Sequence, residues 1–190
     1  QITRLEIEDI YDADGQFQGY VQAPPGVAEY LSGGRGLRLP DANWSSDFPL
    51  SAEQILAYFA LGERDQIDGV IALNEQFIEA LLRLLGPIQL PDYNLTLTAD
   101  NLSDTLHHRP QAFFPGSLQK KHLLNQAKSV LLATLTQTTQ LSHEALFSLL
   151  RQQLAAKNLL FYSPEPNLEQ FFQKQQVAGA LPRGDKETEV

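Results

Sequence analysis

The chain has no cysteine, which rules out disulfide bonds, thiol catalysis and cysteine-ligated zinc. A chain without thiols also fits an oxidising location outside the cytoplasm. There is no methionine either, not even at position 1, so we expect the chain to be a processed or trimmed piece of a longer protein. No run of about 18 apolar residues occurs, and we therefore expect no membrane-spanning segment within this sequence.

Positive charge is scarce, since 14 Lys and Arg face 23 Asp and Glu and give a formal net charge of -9. Nonspecific nucleic-acid binding needs a basic face against phosphates, so we expect no nucleic-acid partner. Hydrophobic residues make up 43% of the 190 residues, which is typical of a folded protein with a sizeable core. We expect a single α/β domain over residues 1–180, lacking its N-terminal part, and a flexible tail over residues 181–190.

Strand and helix signals alternate along the chain. Short apolar runs and turn signals predict strands at 3–11, 16–22, 67–73, 88–90, 94–97 and 159–162. The first two would form a β-hairpin around Asp14-Gly15, and 67–73 and 159–162 would be buried. Helices are predicted from the capping box Ser51 and Gln54, over 75–85 after Asn74, beyond Pro115-Gly116 for about 20 residues, after Ser142, and over 167–176. We expect an α/β fold: a three-layer sandwich with a mixed β-sheet, an N-terminal β-hairpin and a long helix in the C-terminal half.

A polar loop between the Gly-rich segment at 33–36 and the helix signal at Ser51 is the first candidate site. Its candidate residues are Arg35, Arg38, Asp41, Asn43, Trp44 and Asp47. Two arginines can grip a phosphate, and two aspartates can hold magnesium through oxygen ligands. The alternative is structural: Asp41 and Asn43 would satisfy loop amides, Trp44 would pack down as an anchor, and Asp47 would stabilise the next helix through its dipole.

A basic cluster in this acidic chain is the second candidate. Lys120, Lys121 and His122 lie near the start of the predicted long helix, and His107, His108 and Arg109 precede it. Cations at a helix N-terminus oppose the helix dipole, which favours an anionic ligand beside them. The alternative is a solvated face on which lysine stems cover apolar surface.

Landmarks along nearly the whole chain are similar to a bacterial family of uncharacterised domains, domain of unknown function 4012. They are Ile7 to Gly15, Asp41 to Pro49, Asp68 to Leu73, Leu85 to Ile88, Leu97 to Asn101 and Phe113 to Ser117. The resemblance implies a bacterial, extracytoplasmic domain of the cell envelope. It also implies that the parent protein is anchored by a transmembrane segment upstream of this region.

The order of parts after Ser51 also resembles the LytR-CpsA-Psr family. The matching segments are Ile67 to Val70, Leu85 to Ile88, and Gln119-Lys120-Lys121, where that family has arginines. This resemblance implies transfer of phosphate-linked glycopolymers from a polyprenyl carrier. It implies arginines on the pyrophosphate and aspartates on magnesium.

The resemblances imply two alternative functions. In the first, the chain is a cell-envelope binding or assembly module whose partner is a glycopolymer or a lipid-linked ligand. In the second, it is a phosphotransferase in which Arg35, Arg38, Lys120 and Lys121 bind phosphate. Asp41 and Asp47 would hold magnesium in that enzyme.

Overall fold

Helices make up most of the described structure, and the strands are short. The structure is a computed structural model, and it describes residues 8–30, 32–34, 36–62, 67–107, 118–137 and 142–182. The helices are α1 (Ile10–Asp14), α2 (Val27–Tyr30), α3 (Phe48–Leu61), α4 (Glu75–Leu85), α5 (Leu102–His107), α6 (Leu118–Gln137), α7 (His143–Ala155) and α8 (Pro166–Lys174). The strands are β1 (Val70–Leu73), β2 (Ile88–Leu90), β3 (Leu95–Leu97) and β4 (Leu159–Tyr162). The α/β class expected from the sequence is confirmed.

The strands form two separate two-stranded sheets. β1 pairs with β4, and β2 pairs antiparallel with β3 in a register that places Ile88 opposite Leu97 and Leu90 opposite Leu95. Asn94 turns the chain between β2 and β3 in a left-handed conformation with φ 44°, which asparagine tolerates better than most residues. A single mixed sheet was expected, but the described strands do not join into one.

The chain divides into two compact units. The first contains residues 1–16 and 72–159, and the second contains residues 17–71 and 160–190. The chain passes from one unit to the other between residues 16 and 17, within β1 and again within β4. The single domain over 1–180 stays a prediction.

The first unit has a core of branched aliphatic side chains from β2, β3 and the helices α4, α5 and α6. Its buried members are Leu82, Ile88, Leu90, Leu95, Leu97, Leu102, Leu123 and Ala127. Both strands alternate buried and exposed residues, so one face of this sheet packs on the helices. The long helix α6, predicted after Pro115-Gly116, packs against β2 in this core.

Two helix starts were predicted correctly from their capping residues. The side chain of Asn74 accepts a hydrogen bond from Phe77 N at 3.1 Å at the start of α4. The Ser142 hydroxyl accepts one from Ala145 N at 3.4 Å at the start of α7. In each case the side chain satisfies a backbone donor that the helix itself leaves free.

The prediction of an N-terminal β-hairpin is wrong for the residues that the structure describes. Asp9 caps α1 by accepting a hydrogen bond from Tyr11 N at 2.9 Å, and Gly15 ends this helix. Asp14-Gly15 is therefore the end of a helix rather than a hairpin turn. The second expected strand contains only an isolated bridge between Val21 and Leu37, and the first part of the expected hairpin lies outside the described residues.

Helix α3 begins three residues before the predicted cap. Asp47 occupies the N-cap position, and Pro49 stands in the first turn, where proline costs no hydrogen bond. Ser51 lies buried inside the helix, and its hydroxyl donates to Ser45 O at 3.0 Å. Strand β1 also differs from the prediction, because Ile71 and Leu73 are exposed and the strand is not buried.

None of the described helices combines the length and apolar character that a membrane span needs.

Candidate functional site

A cleft of about 430 Å³ lies in the second unit, and we call it the acidic cleft. Its polar lining residues are Asp47, Glu53, Tyr162, Ser163, Glu169 and Gln173. Its apolar lining residues are Pro49, Leu50, Pro164, Ala180 and Leu181. These residues come from the start of α3, the end of β4, α8 and the segment that follows α8. The volume of the cleft lies in the range of small-molecule sites.

The turn between β4 and α8 is held by hydrogen bonds around Ser163. The Ser163 hydroxyl donates to Asp68 O at 3.2 Å and accepts from Glu165 N at 3.2 Å. Glu165 in turn caps α8, since its carboxylate accepts from Asn167 N and Leu168 N. These backbone hydrogen bonds hold the pKa of the Glu165 carboxyl below its usual value. The cleft wall at Ser163 is therefore fixed before any ligand arrives.

The carboxylate of Glu169 is anchored at both oxygens. Its Oε2 accepts from Ser163 N at 3.2 Å, and its Oε1 accepts from Gln173 Nε2 at 2.9 Å. Glu169 and Gln173 are four residues apart on α8, so both lie on the same face of the helix. The negative charge of Glu169 is thus held at the cleft in one position.

Glu53 is coupled to the other side of the cleft through Tyr162. The Tyr162 side chain is buried at 7% exposure, and its hydroxyl hydrogen-bonds to the Glu53 carboxylate. Burial raises the pKa of the Tyr162 hydroxyl, and the charges of Glu53 and Glu169 raise it further. Tyr162 therefore stays protonated and acts as a hydrogen-bond donor to Glu53.

Two glycines allow the walls of the cleft to approach closely. A Cβ atom at Gly69 would lie 2.6 Å from Tyr162 O, at the end of β4. A Cβ at Gly179, which has φ +64°, would lie 2.8 Å from Leu160 Cδ1. Gly179 O accepts a hydrogen bond from Phe48 N at 3.3 Å, which ties the segment carrying Ala180 and Leu181 to the start of α3. Both contacts require the absence of a side chain.

Asp47 has a carboxylate oxygen without a partner. It stands at the N-cap of α3, yet its side chain makes no capping hydrogen bond. Its Oδ1 atom is fully buried and has no hydrogen-bond partner. An unsatisfied buried acceptor costs about 1–3 kcal/mol, so this oxygen is not explained by the stability of the fold.

The described lining of the acidic cleft carries negative charge. Asp47, Glu53 and Glu169 are carboxylates, and the described lining contains no Lys, Arg or His. Within the described residues, no group of three or more His, Cys, Asp and Glu is arranged to hold a metal ion. The described lining therefore presents hydrogen-bond acceptors and negative charge to the cleft.

The predicted polar loop lies in the second unit too, and the structure brings part of it together with α3. Arg38 and Asp41 both act electrostatically on Tyr58, a residue that is 4% exposed. Burial and the nearby Asp41 raise the pKa of the Tyr58 hydroxyl to about 12, while Arg38 opposes this shift. The hydroxyl is buried and has no hydrogen-bond partner.

The positions of the remaining residues of the predicted polar loop give less support to a site. Asn43 is exposed, and Trp44 keeps 41% of its surface exposed instead of packing down fully as an anchor. The backbone of Trp44 donates to Asp41 O at 3.1 Å. Arg35 lies outside the described residues. Asp47 lines the acidic cleft, whose lining does not include Asp41.

The predicted basic cluster is described only in part. The side chains of Lys120 and Lys121 lie outside the described residues, as do His108 and Arg109. His122 is exposed on α6. His107 Nε2 lies 2.9 Å from Glu75 Oε2, and this contact is the largest of the causes that lower the pKa of Glu75.

Sequence reasoning missed most of the acidic cleft. Glu53, Tyr162, Glu169 and Gln173 carry no local motif, and more than 100 residues of sequence separate Glu53 from Tyr162. A weak signal was available, because Glu169 and Gln173 stand at helical spacing directly after a predicted strand. The pairing of β1 with β4 and the hydrogen bond from Phe48 N to Gly179 O both help to bring these parts together.

The comparisons with known proteins identify a family and nothing further. We found no match among curated proteins and none among solved structures. A family model described as "Protein of unknown function (DUF4012)" matches residues 3–110, which is more than half of the chain. The chain therefore belongs to the DUF4012 family.

Proposed function

We propose that this chain is a binding module of the bacterial cell envelope, and that the acidic cleft holds a segment of an envelope glycopolymer. The observation that carries the proposal is the lining of the cleft, which combines anchored carboxylates with apolar walls. Sugar hydroxyls donate short, strong hydrogen bonds to carboxylates. The C–H faces of a sugar ring can pack against Leu50, Pro164 and Leu181.

The proposed location is extracytoplasmic, in a parent protein anchored to the membrane upstream of this region. The lack of cysteine supports this location, since free thiols oxidise outside the cytoplasm. The family resemblance supports it as well.

The charge of the cleft favours a binding module over a phosphotransferase at this position. A pyrophosphate group would face Asp47, Glu53 and Glu169 without a cation from the described lining. Like charges at short range repel strongly where water is partly excluded. A neutral or positively charged saccharide meets no such penalty.

The test is an NMR titration of the isotope-labelled chain with a soluble N-acetylglucosamine tetramer. We expect amide shifts at Leu50, Ser163, Gln173 and Leu181. In the variant Ala180→Trp an indole fills the cleft, and these shifts should disappear. The matched control is Ala155→Trp, at an exposed position on α7 outside the cleft. The proposal fails if no saccharide of this kind moves the cleft amides, or if both variants behave alike.

A second function is favoured by the arrangement around Tyr58. Arg38 and Asp41 act on the same buried hydroxyl, which brings together a phosphate-binding side chain and a potential magnesium ligand. We propose as the alternative a phosphotransferase that acts on polyprenyl-pyrophosphate-linked glycopolymers.

A thermal-shift titration with polyprenyl pyrophosphate, with and without magnesium, tests this alternative. A ligand that binds only the folded state raises the melting temperature. The alternative requires a magnesium-dependent rise that Asp41→Ala abolishes and the exposed control Asp92→Ala keeps. Equal rises in both variants would remove Asp41 from any magnesium site.

A further inference from the structure

We propose that Asp68-Gly69 is a site of spontaneous covalent modification, where aspartate converts to isoaspartate, and that this conversion releases the cleft wall at Ser163. The sequence contains two Asp-Gly pairs, Asp14-Gly15 and Asp68-Gly69, and no Asn-Gly pair. Glycine has no side chain to hinder an attack by its own nitrogen, so these two pairs are the natural candidates for the reaction. The inference does not depend on which ligand the acidic cleft binds.

The reaction needs no partner molecule, and its atoms balance. The Gly69 nitrogen attacks the side-chain carboxyl carbon of Asp68, and the carboxyl oxygen leaves with the amide proton as water. The product is a five-membered succinimide ring. Water then opens the ring at one of its two carbonyl carbons. Opening at the side-chain carbon restores aspartate, whereas opening at the main-chain carbon leaves the backbone running through the side chain, which is isoaspartate.

The surroundings of Asp68 permit this ring closure. Asp68 and Gly69 are both exposed, and they lie outside the helices and strands, directly before β1. The aspartate side chain must swing over the nitrogen of the next residue before the ring can form. An exposed segment without regular structure allows this movement with little disturbance of its neighbours.

The fold protects the other pair. Asp14 is only 6% exposed, and it is the last residue of α1. The nitrogen that would have to attack, Gly15 N, donates a hydrogen bond to Tyr11 O at 3.0 Å. Ring closure at Asp14 would break this hydrogen bond and move a buried side chain. The two pairs have the same local sequence chemistry, and the structure therefore directs the reaction to Asp68.

Conversion at Asp68 would remove a contact that holds the cleft wall. The Ser163 hydroxyl donates to Asp68 O at 3.2 Å, and this oxygen belongs to the main-chain carbonyl that becomes a free carboxylate in isoaspartate. Isoaspartate also adds one carbon to the backbone before Gly69. The chain has no room to absorb it toward β4, because even a Cβ at Gly69 would lie 2.6 Å from Tyr162 O. The turn at Ser163 therefore opens when Asp68 is converted.

The experiment ages the folded chain in warm, mildly alkaline buffer and locates isoaspartate by tryptic digestion and electron-transfer mass spectrometry. Trypsin places the two pairs on separate peptides, residues 5–35 and 65–83. We expect isoaspartate to accumulate at Asp68 while Asp14 stays unconverted. In denaturant both should convert, because the protection of Asp14 comes from the fold. Asp68→Glu should abolish the conversion in its peptide, since glutamate would have to close a larger ring. The exposed control Asp92→Glu should leave it unchanged.

Amide hydrogen exchange measures the release of the wall. Glu165 N donates to Ser163 Oγ at 3.2 Å, so we expect faster exchange at Glu165 in the isoaspartate-containing fraction than in the fresh chain. Phe77 N, which donates to Asn74 in the first unit, is the internal control and should exchange at an unchanged rate.

Each alternative outcome overturns a defined part of the proposal. Equal conversion at Asp14 and Asp68 in the folded chain, or conversion at neither, would overturn Asp68-Gly69 as a selective site. Conversion at Asp68 with unchanged exchange at Glu165 would overturn the release of the cleft wall. Faster exchange at both Glu165 and Phe77 would also overturn it, because the modification would then act on the whole fold.

Discussion

The two compact units bury different kinds of side chain. Leu82 and Leu90 are the largest fully buried side chains among the described residues, and both lie in the aliphatic core of the first unit. The second buries mostly smaller or polar groups, including Ser32, Ser51 and Ser163. It also contains two of the buried atoms that lack hydrogen-bond partners, on Asp47 and Tyr58.

The comparison indicates that folding stability and ligand binding depend on different parts of the chain. A core of leucine and isoleucine stabilises a fold but offers no polar group to a ligand. The second unit keeps carboxylates and hydroxyls near its surface at a cost in stability, which is common at functional sites. We therefore expect mutations in the first unit to act on folding and mutations around the cleft to act on binding.

The largest expected effect is a cavity in the first unit. Leu90→Ala removes a side chain that is 0% exposed, and we expect a loss of about 2–5 kcal/mol in the free energy of unfolding. Urea denaturation followed by far-UV circular dichroism measures this loss. Leu168→Ala, at a leucine that is 42% exposed in the second unit, is the control and should cost far less. Similar losses in the two variants would contradict the expectation that the buried core of the first unit contributes more to stability than the exposed leucine of the second.

A smaller effect is expected from a side chain that intrudes at the cleft wall. Gly69→Ala places its Cβ 2.6 Å from Tyr162 O, so the backbone must shift, and we expect a loss of about 1–3 kcal/mol. Gly15→Ala is the control, because its nearest contact is 3.4 Å and its φ is -66°. Thermal unfolding of both variants measures the difference. An equal drop in melting temperature would mean that the close approach at Gly69 does not matter.

Asp47→Ala should raise the free energy of unfolding, whereas the two substitutions above should lower it. Asp47→Ala removes a buried oxygen that lacks a partner, which is worth about 1–3 kcal/mol, and loses a favourable charge at the N-terminus of α3, worth about 0.3–1 kcal/mol. We expect a net gain of about 1 kcal/mol in the free energy of unfolding, measured by urea denaturation. The exposed control Asp92→Ala should leave the free energy of unfolding unchanged. A clear loss of stability in Asp47→Ala would show that the Asp47 Oδ1 atom does not destabilise the fold.

The smallest effect is expected at Glu75 in the first unit. Its pKa is lowered by hydrogen bonds from His107 and Ser103, so the carboxylate stabilises the fold above its unfolded pKa, and this contribution is lost as the pH falls through the lowered folded pKa. The pair is largely exposed on the His107 side, so Glu75→Gln should cost less than about 1 kcal/mol at neutral pH. Melting curves from neutral to strongly acidic pH should show the difference from the parent shrinking. A difference that does not change with pH would exclude the carboxylate charge as its cause.

The sequence predicted best those elements whose signals are local. Asn74 and Ser142 cap helices by short-range hydrogen bonds that a local pattern encodes, and the leucines of β2 and β3 alternate as their burial does. The errors came where two local signals competed. Asp14-Gly15 can end a helix as well as turn a hairpin, and here the cap at Asp9 decides for the helix.

The candidate site was predicted only in part, since its residues come from distant segments. Asp47 was chosen from a polar loop, whereas Glu53 and Glu169 are more than 100 residues apart in the sequence and line the cleft together only in the folded chain. The close approaches at Gly69 and Gly179 depend on tertiary packing that no local pattern contains. Charge complementarity in a cleft is likewise a property of the assembled fold.

The segment between β1 and β4 begins and ends at neighbouring residues, which bears on how easily it could be exchanged. Asn74 N donates to Asn158 O at 3.2 Å, and Asn74 Nδ2 donates to Asn158 Oδ1 at 2.8 Å, so the ends of the intervening segment lie side by side. Segments with adjacent ends are the ones that evolution and protein engineers insert or exchange most easily. Residues 75–157 can thus be regarded as a cassette that a short turn could replace.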